Sequence, residues 1–215
     1  MREVINQYKS HFGDKDFILS VIFGIVLLIG SYVLNYFTST YATVVASNQV
    51  TDIFLSNIPI YDLDTIFVFG PLVLLIFIIV ITFKNPRRIP FFLKSVALFV
   101  IIRALFTTLT HLGPYPYEIP LDYSSGWIKS LTFGSDMFFS GHTGLPFLMA
   151  LMYGRVNKLY YYFFILASVF FGTIVLLGHY HYSIDVAAAF FITYTIYVIS
   201  TKLFKKDMEE FYCKD

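Results

Sequence analysis

Apolar residues along this chain come in long unbroken runs, without the one-sided spacing of a soluble helix or the alternation of a half-buried strand. Runs of about 20 apolar residues match the hydrocarbon thickness of a bilayer. Three are nearly free of polar residues: Phe17 to Phe37, Thr65 to Phe83 and Leu159 to Leu177. Three more carry ionisable side chains: Phe91 to Thr110 with Lys94 and Arg103, Met137 to Tyr153 with His142, and Tyr182 to Phe204 with Asp185. The pattern predicts an all-α polytopic membrane protein with six transmembrane helices in a bundle. The first run is long enough to span and lacks the short core and small-residue cleavage site of a signal peptide. The fifth and sixth spans share a very short connection, which predicts a tight antiparallel hairpin. No repeat, low-complexity tract or linker divides the chain, so residues 1–215 read as one domain. Within it, residues 1–16 form a tail, 17–204 the six-helix core, and Lys205 to Asp215 a solvated tail.

Composition agrees. The chain is 57% hydrophobic and 13% charged, against about a quarter charged in a typical soluble domain. The mean hydropathy is +0.70. A net charge of +1 gives no sign of a nucleic-acid partner, but the placement of charge is informative. Arg2, Lys9 and Lys15 precede the first span, and Lys84, Arg87 and Arg88 follow the second. Arg155 and Lys158 follow the fourth, and Lys202, Lys205, Lys206 and Lys214 close the chain, while the alternate loops carry only Lys129. Basic residues gather on the cytoplasmic side. Both termini are therefore expected inside, with the first, third and fifth loops outside. The single cysteine, Cys213, permits no intrachain disulfide and reads as an incidental thiol.

On that frame the ionisable residues share one depth. His142 lies about one turn into the fourth span, His181 and Asp185 open the sixth, Arg103 sits in the outer half of the third, and Asp136 precedes the fourth. At about 1.5 Å per helical residue, all fall within roughly 10–15 Å of the outer boundary. His181 and Asp185 are four apart and so share a helix face. A carboxylate bound to one imidazole nitrogen fixes the tautomer and strengthens the other as base or nucleophile. A second imidazole, His142, can move a proton near neutral pH, and the arginine fork suits phosphate oxygens. Separately, each feature has an ordinary reading: Ser140 as a helix cap, His181 and Asp185 as a helix-end pair, Arg103 as a buried partner of an acid or carbonyl. Their coincidence at one depth on separate helices favours a site for phosphoryl chemistry through a histidine nucleophile, with no metal and no cofactor. Zinc bound by two histidines and a carboxylate is disfavoured by the nearby Arg103. His179, His111, Tyr180 and Tyr182 read as structural or interfacial, and Glu118 and Lys129 as solvated loop residues.

The segments "SDMFFSGHT" (Ser135 to Thr143) and "HYSIDVAAAFFI" (His181 to Ile192) resemble the two signature segments of the sphingomyelin synthase family, a branch of the lipid phosphate phosphatase superfamily. "RALFTTLT" (Arg103 to Thr110) is similar to a third family segment, and "IPIYDLD" (Ile58 to Asp64) to a fourth at the entrance of the second span. Two departures stand out. Gly134-Ser135 replaces the family's Cys-Gly, and Val175 stands where ordinary lipid phosphate phosphatases carry an arginine six before the second histidine. The second departure favours the synthase branch.

The resemblance implies that His181 attacks the phosphorus of a glycerophospholipid, that Asp185 orients it, and that His142 serves as acid and then base. Arg103 would bind the phosphate, with Ser140 as a further contact. Asp136, Asp62 and Asp64 would meet a cationic head group. The implied activity is transfer of phosphocholine or phosphoethanolamine to a lipid alcohol such as ceramide, with membrane lipids as the partners. Hydrolysis by the same site, as in a lipid phosphatase or phospholipase C, is the alternative. A non-catalytic lipid-binding protein is the third reading, and the intact pair of histidines argues against it.

Overall fold

A computed structural model describes residues 2–115 and 138–213, and every regular element among them is helical. The order is α1 (Arg2–His11), α2 (Lys15–Val45), α3 (Asp64–Phe83), a 3-10 turn (Pro86–Arg88), α4 (Ile89–Leu109), α5 (Gly141–Tyr153), α6 (Lys158–Leu177), α7 (Ser183–Leu203) and α8 (Lys205–Tyr212). Five are long and apolar enough to cross a membrane: α2, α3, α4 with its preceding turn, α6 and α7. Side chains such as Val26, Ile29, Val73, Leu166 and Phe191 stand exposed on them, as expected of surfaces wetted by lipid. These helices indicate an integral membrane protein.

The predicted fourth span is different. Its helix starts only at Gly141, where the Ser140 hydroxyl caps the first turn, and ends after 13 residues. That is about 20 Å, short of a bilayer core. α5 can be short because it packs between α6 and α7 and is not spread against lipid, with Leu148, Met149, Met152 and Tyr153 fully buried. The same insertion alters the expected hairpin. α6 and α7 are joined by five residues but touch each other only lightly, because α5 takes the face of each.

α2 runs past its predicted end at Phe37 to Val45. Thr38, Thr40 and Thr43 bond to the carbonyls of Asn35, Tyr36 and Ser39, so their hydroxyls are satisfied without leaving the helix. Its buried residues are small or slender (Val21, Gly24, Ser31, Asn35, Ser39, Ala42), which lets it lie close along α4.

The C-terminal segment is no solvated tail. Met208, Phe211 and Tyr212 fall on one face of α8, and Phe211 packs against Phe91 and Tyr153 with ring centroids 5.5 and 5.3 Å away. Lys94, buried in α4, reaches α8 with its ammonium 2.6 Å from Asp207 and 2.7 Å from the Ser20 hydroxyl of α2. At this same end Arg87 donates to His11 at 3.0 Å and Lys206 to Asp16 at 3.1 Å. Both termini and most of the basic residues therefore share one end of the bundle.

At the opposite end the connections interlock. Ser47 bonds through both its amide and its hydroxyl to the His111 carbonyl, and the Tyr61 amide to the Leu177 carbonyl. The Tyr182 hydroxyl donates to Gly113 at 2.9 Å and accepts from the Val50 amide at 3.3 Å. The first and fifth connections and residues 111–113 of the third are thus bonded together around the residues that open α7.

Candidate active site

Asp185 occupies the first turn of α7 and its carboxylate turns back toward the chain that leads into the helix. One oxygen, Oδ2, accepts from the Tyr182 amide at 3.1 Å and lies 3.3 Å from His181 Nδ1. Asp185 is fully buried and His181 nearly so. With Nδ1 held as the protonated nitrogen, the lone pair of His181 resides on Nε2, the arrangement a nucleophilic or basic imidazole requires.

The second motif meets the first through backbone. The Ser140 amide donates to the Asp185 carbonyl at 3.2 Å, fixing the start of α5 on the first turn of α7. Ser140 itself is buried, and its hydroxyl accepts from the amide and hydroxyl of Thr143 at 3.4 and 3.3 Å. It serves as the cap of α5. Gly144, one turn on, faces both α7 and α4, and a Cβ there would sit 2.8 Å from the Thr193 hydroxyl and 2.9 Å from Phe99.

His142 is held from α3. Its Nε2 lies 3.1 Å from the Phe67 carbonyl, which can only accept, so the proton is placed on Nε2. The imidazole stacks on the Phe67 ring at 4.2 Å and 21°. Phe67 is backed in turn by Tyr180, 4.1 Å away, whose hydroxyl donates to Asp64. Arg103 comes from α4: its Nε donates to the Phe139 carbonyl at 2.9 Å, and its guanidinium lies against Gly141. Thr107, one turn later, bonds to the carbonyls of Arg103 and Phe138, both at 2.9 Å.

Of the residues singled out from sequence, Ser140 ties the start of α5, which carries His142, to Asp185 and hence to its partner His181, and Arg103 lies against Gly141, the residue before His142. Asp136 lies outside the described residues, as do Glu118 and Lys129. Asp64 is taken up by Tyr180, and Asp62 accepts from the Asp64 amide at the entry of α3. His179 is buried beside Tyr115, in the left-handed backbone region at φ 56°, and burial pushes its imidazole below the ordinary histidine range. Among the described residues no group of three or more His, Cys, Asp or Glu side chains is placed to hold a metal ion.

Asp52, in the first connection, went unnoticed in the sequence. Its carboxylate accepts from the Ser183 amide at 2.7 Å, the Phe54 amide at 2.8 Å and the Leu55 amide at 3.1 Å. Burial pushes this carboxyl upward, but the hydrogen bonds outweigh burial and hold it below the usual carboxylate range. Asp52 thus binds the first residue of α7, two before Asp185. No local signal marks it, because the contact joins residues 131 apart.

Chemically, the cluster presents an oriented imidazole, a second imidazole to move a proton, and a guanidinium suited to phosphate oxygens. The family model of the PAP2 superfamily C-terminal region matches residues 134–202, which contain both histidines and Asp185. That match supports the PAP2 superfamily, and with it an enzyme acting on lipid phosphate esters. No curated protein and no solved structure matches the chain.

Proposed function

We propose that this protein transfers a phospho-head group from a glycerophospholipid to a lipid alcohol, as in the sphingomyelin synthase branch, through a phosphohistidine. His181 Nε2 attacks phosphorus, forming the N–P bond as the P–O bond to diacylglycerol breaks. His142, its Nε2–H held by the Phe67 carbonyl, starts as the imidazolium and gives the proton of Nδ1 to the departing oxygen. In the second half, His142 takes the proton of the acceptor hydroxyl while that oxygen attacks phosphorus and the N–P bond breaks. Asp185 holds the His181 tautomer and balances the imidazolium that forms, and Arg103 binds the phosphate oxygens. Asp136 is assigned to a cationic head group. The observation that carries the reading is the Ser140–Asp185 backbone bond, which joins the dyad of α7 to the helix bearing His142.

The site end would face away from the cytoplasm, because the basic residues gather at the other end. Hydrolysis is the second reading, favoured by the PAP2 match itself, since water can attack the same intermediate. Transfer is preferred because Val175, where phosphatases carry arginine, is fully buried among Phe67, Val68 and Tyr180 and offers no phosphate contact.

Lipid mass spectrometry decides between them. Purified protein in liposomes of phosphatidylcholine and phosphatidylethanolamine should form a ceramide phosphodiester and diacylglycerol only when ceramide is supplied. Free phosphocholine or phosphoethanolamine, made equally with and without ceramide, would establish a hydrolase instead.

A further inference from the structure

An apolar groove of about 500 Å³ lies between α3 and α6, walled by Gly70, Val73 and Phe77 on one side and Leu166, Ala167 and Phe171 on the other. Its walls repeat at helical spacing, and from Gly70 to Phe77 it covers about 10 Å of bundle length. It opens sideways, with Val73 and Leu166 well exposed. It also leads to the site. Phe171 lines the groove and faces the His142 ring at 6.5 Å, and Phe67, stacked on the same imidazole, lies one turn above Gly70. Gly70 keeps the upper end closed around Phe171, since a Cβ there would fall 2.6 Å from that ring.

A second apolar groove, of about 310 Å³, lies between α4 and α7 and is walled by Ile102, Phe106, Phe191 and Thr195 among others. Its lining residues Ile102 and Phe106 flank Arg103 on α4. The two grooves therefore approach the site from different sides, one beside the proton carrier and one beside the phosphate-binding arginine.

Building on the proposed reaction, we infer that the α3–α6 groove holds an acyl chain of the lipid alcohol whose oxygen His142 serves. In the first half-reaction that alcohol is the departing diacylglycerol; in the second it is the acceptor. Both oxygens bond to the same phosphorus opposite His181 and exchange a proton with the same imidazole. Leaving and attacking lipids must therefore occupy one place in turn, and the groove beside His142 is that place. The kinetics are accordingly ping-pong, with donor and acceptor competing for the groove.

The test fills each groove in the full-length protein reconstituted in nanodiscs. Ala167→Phe and Val73→Trp narrow the α3–α6 groove from opposite walls, and Thr195→Trp narrows the other. Turnover is read on long-chain phosphatidylcholine and on dihexanoyl phosphatidylcholine, whose chains are too short to fill the groove. Both α3–α6 variants should lower kcat/KM for the long-chain lipid about tenfold or more, the scale of a few misplaced methylenes in an apolar pocket. They should leave the short-chain substrate and the Thr195→Trp variant near wild type. Equal losses on short and long chains, or a larger loss from Thr195→Trp, would overturn the assignment. Photolabelling with a phosphatidylcholine bearing a diazirine in its acyl chain reads the groove without turnover. Adducts on α3 and α6 that vanish in Ala167→Phe support it, and adducts spread over all lipid-facing helices refute it. A wild-type protein that turns over neither substrate counts against the reaction, and the photolabelling then decides the groove alone.

Discussion

Replacing Asp52 by alanine tests whether the first connection holds the site in place. The carboxylate satisfies three backbone amides, those of Ser183, Phe54 and Leu55, at 2.7–3.1 Å. Losing an aspartate cap ordinarily costs about 0.5–2 kcal/mol, and a buried donor left unpaired about 1–3 kcal/mol. The Phe54 side of the turn is exposed and its amide can rehydrate, whereas the partly buried Ser183 amide lies within the first turn of α7. The net loss should be about 2–3 kcal/mol, or roughly 4–12 °C at about 2–4 °C per kcal/mol. Circular dichroism melts in detergent measure it. The pH dependence supplies a control. Backbone hydrogen bonds hold the folded carboxyl below the ordinary aspartate range, so its contribution is fully present above that range and fades as the pH falls through the lower, folded value. The gap between wild type and Asp52→Ala should therefore close under strong acid. Because Ser183 precedes Asp185 by two residues, kcat should fall while KM for lipid changes little. A melting difference below about 0.5 kcal/mol, the scale of an indifferent surface change, would refute the reasoning.

His142→Ala should slow formation of the intermediate by about 10²–10⁴-fold, the usual contribution of a positioned acid, in a single-turnover assay of diacylglycerol release. Asp207→Ala leaves the Lys94 ammonium buried without its carboxylate and should cost roughly 3 kcal/mol in a thermal melt, with the Lys94→Met/Asp207→Leu pair recovering most of it. For topology, a cysteine at exposed Gln49 should react in intact cells with an impermeant maleimide and exposed Cys213 should not. The opposite pattern would move the site to the cytoplasmic side.

The spans were legible because an unbroken apolar run needs no tertiary context to be recognised. Observed α3, α4, α6 and α7 begin and end within two residues of the predicted runs. Where polar residues interrupted a run, the reading failed in ways that packing explains. The helix of the fourth span is shortened because Ser140 caps it late and neighbouring helices, in place of lipid, receive its side chains. α8 looked like a tail because its mean composition is polar, although the spacing of Met208, Phe211 and Tyr212 carried a helical stripe. At the site, His181 and Asp185 were legible because their partnership is local, at i and i+4. The supports of that pair were not. Phe67 under His142, the Phe139 carbonyl on Arg103 and Asp52 on Ser183 are contacts across 36 to 131 residues, decided by how the helices pack.

The central claim is a covalent bond from His181 to the phosphorus of the head group. Protein mixed with phosphatidylcholine radiolabelled in its phosphocholine and quenched within the first turnover should carry label that is stable in base and lost in acid. His181→Ala should carry none. Asp185→Asn should carry less, as its imidazole loses the charge at 3.3 Å that balances the forming imidazolium. Addition of ceramide to the labelled wild-type protein should move the label to a lipid product faster than water releases it. Label that persists in His181→Ala, or that never forms in a protein turning over lipid, would contradict the account.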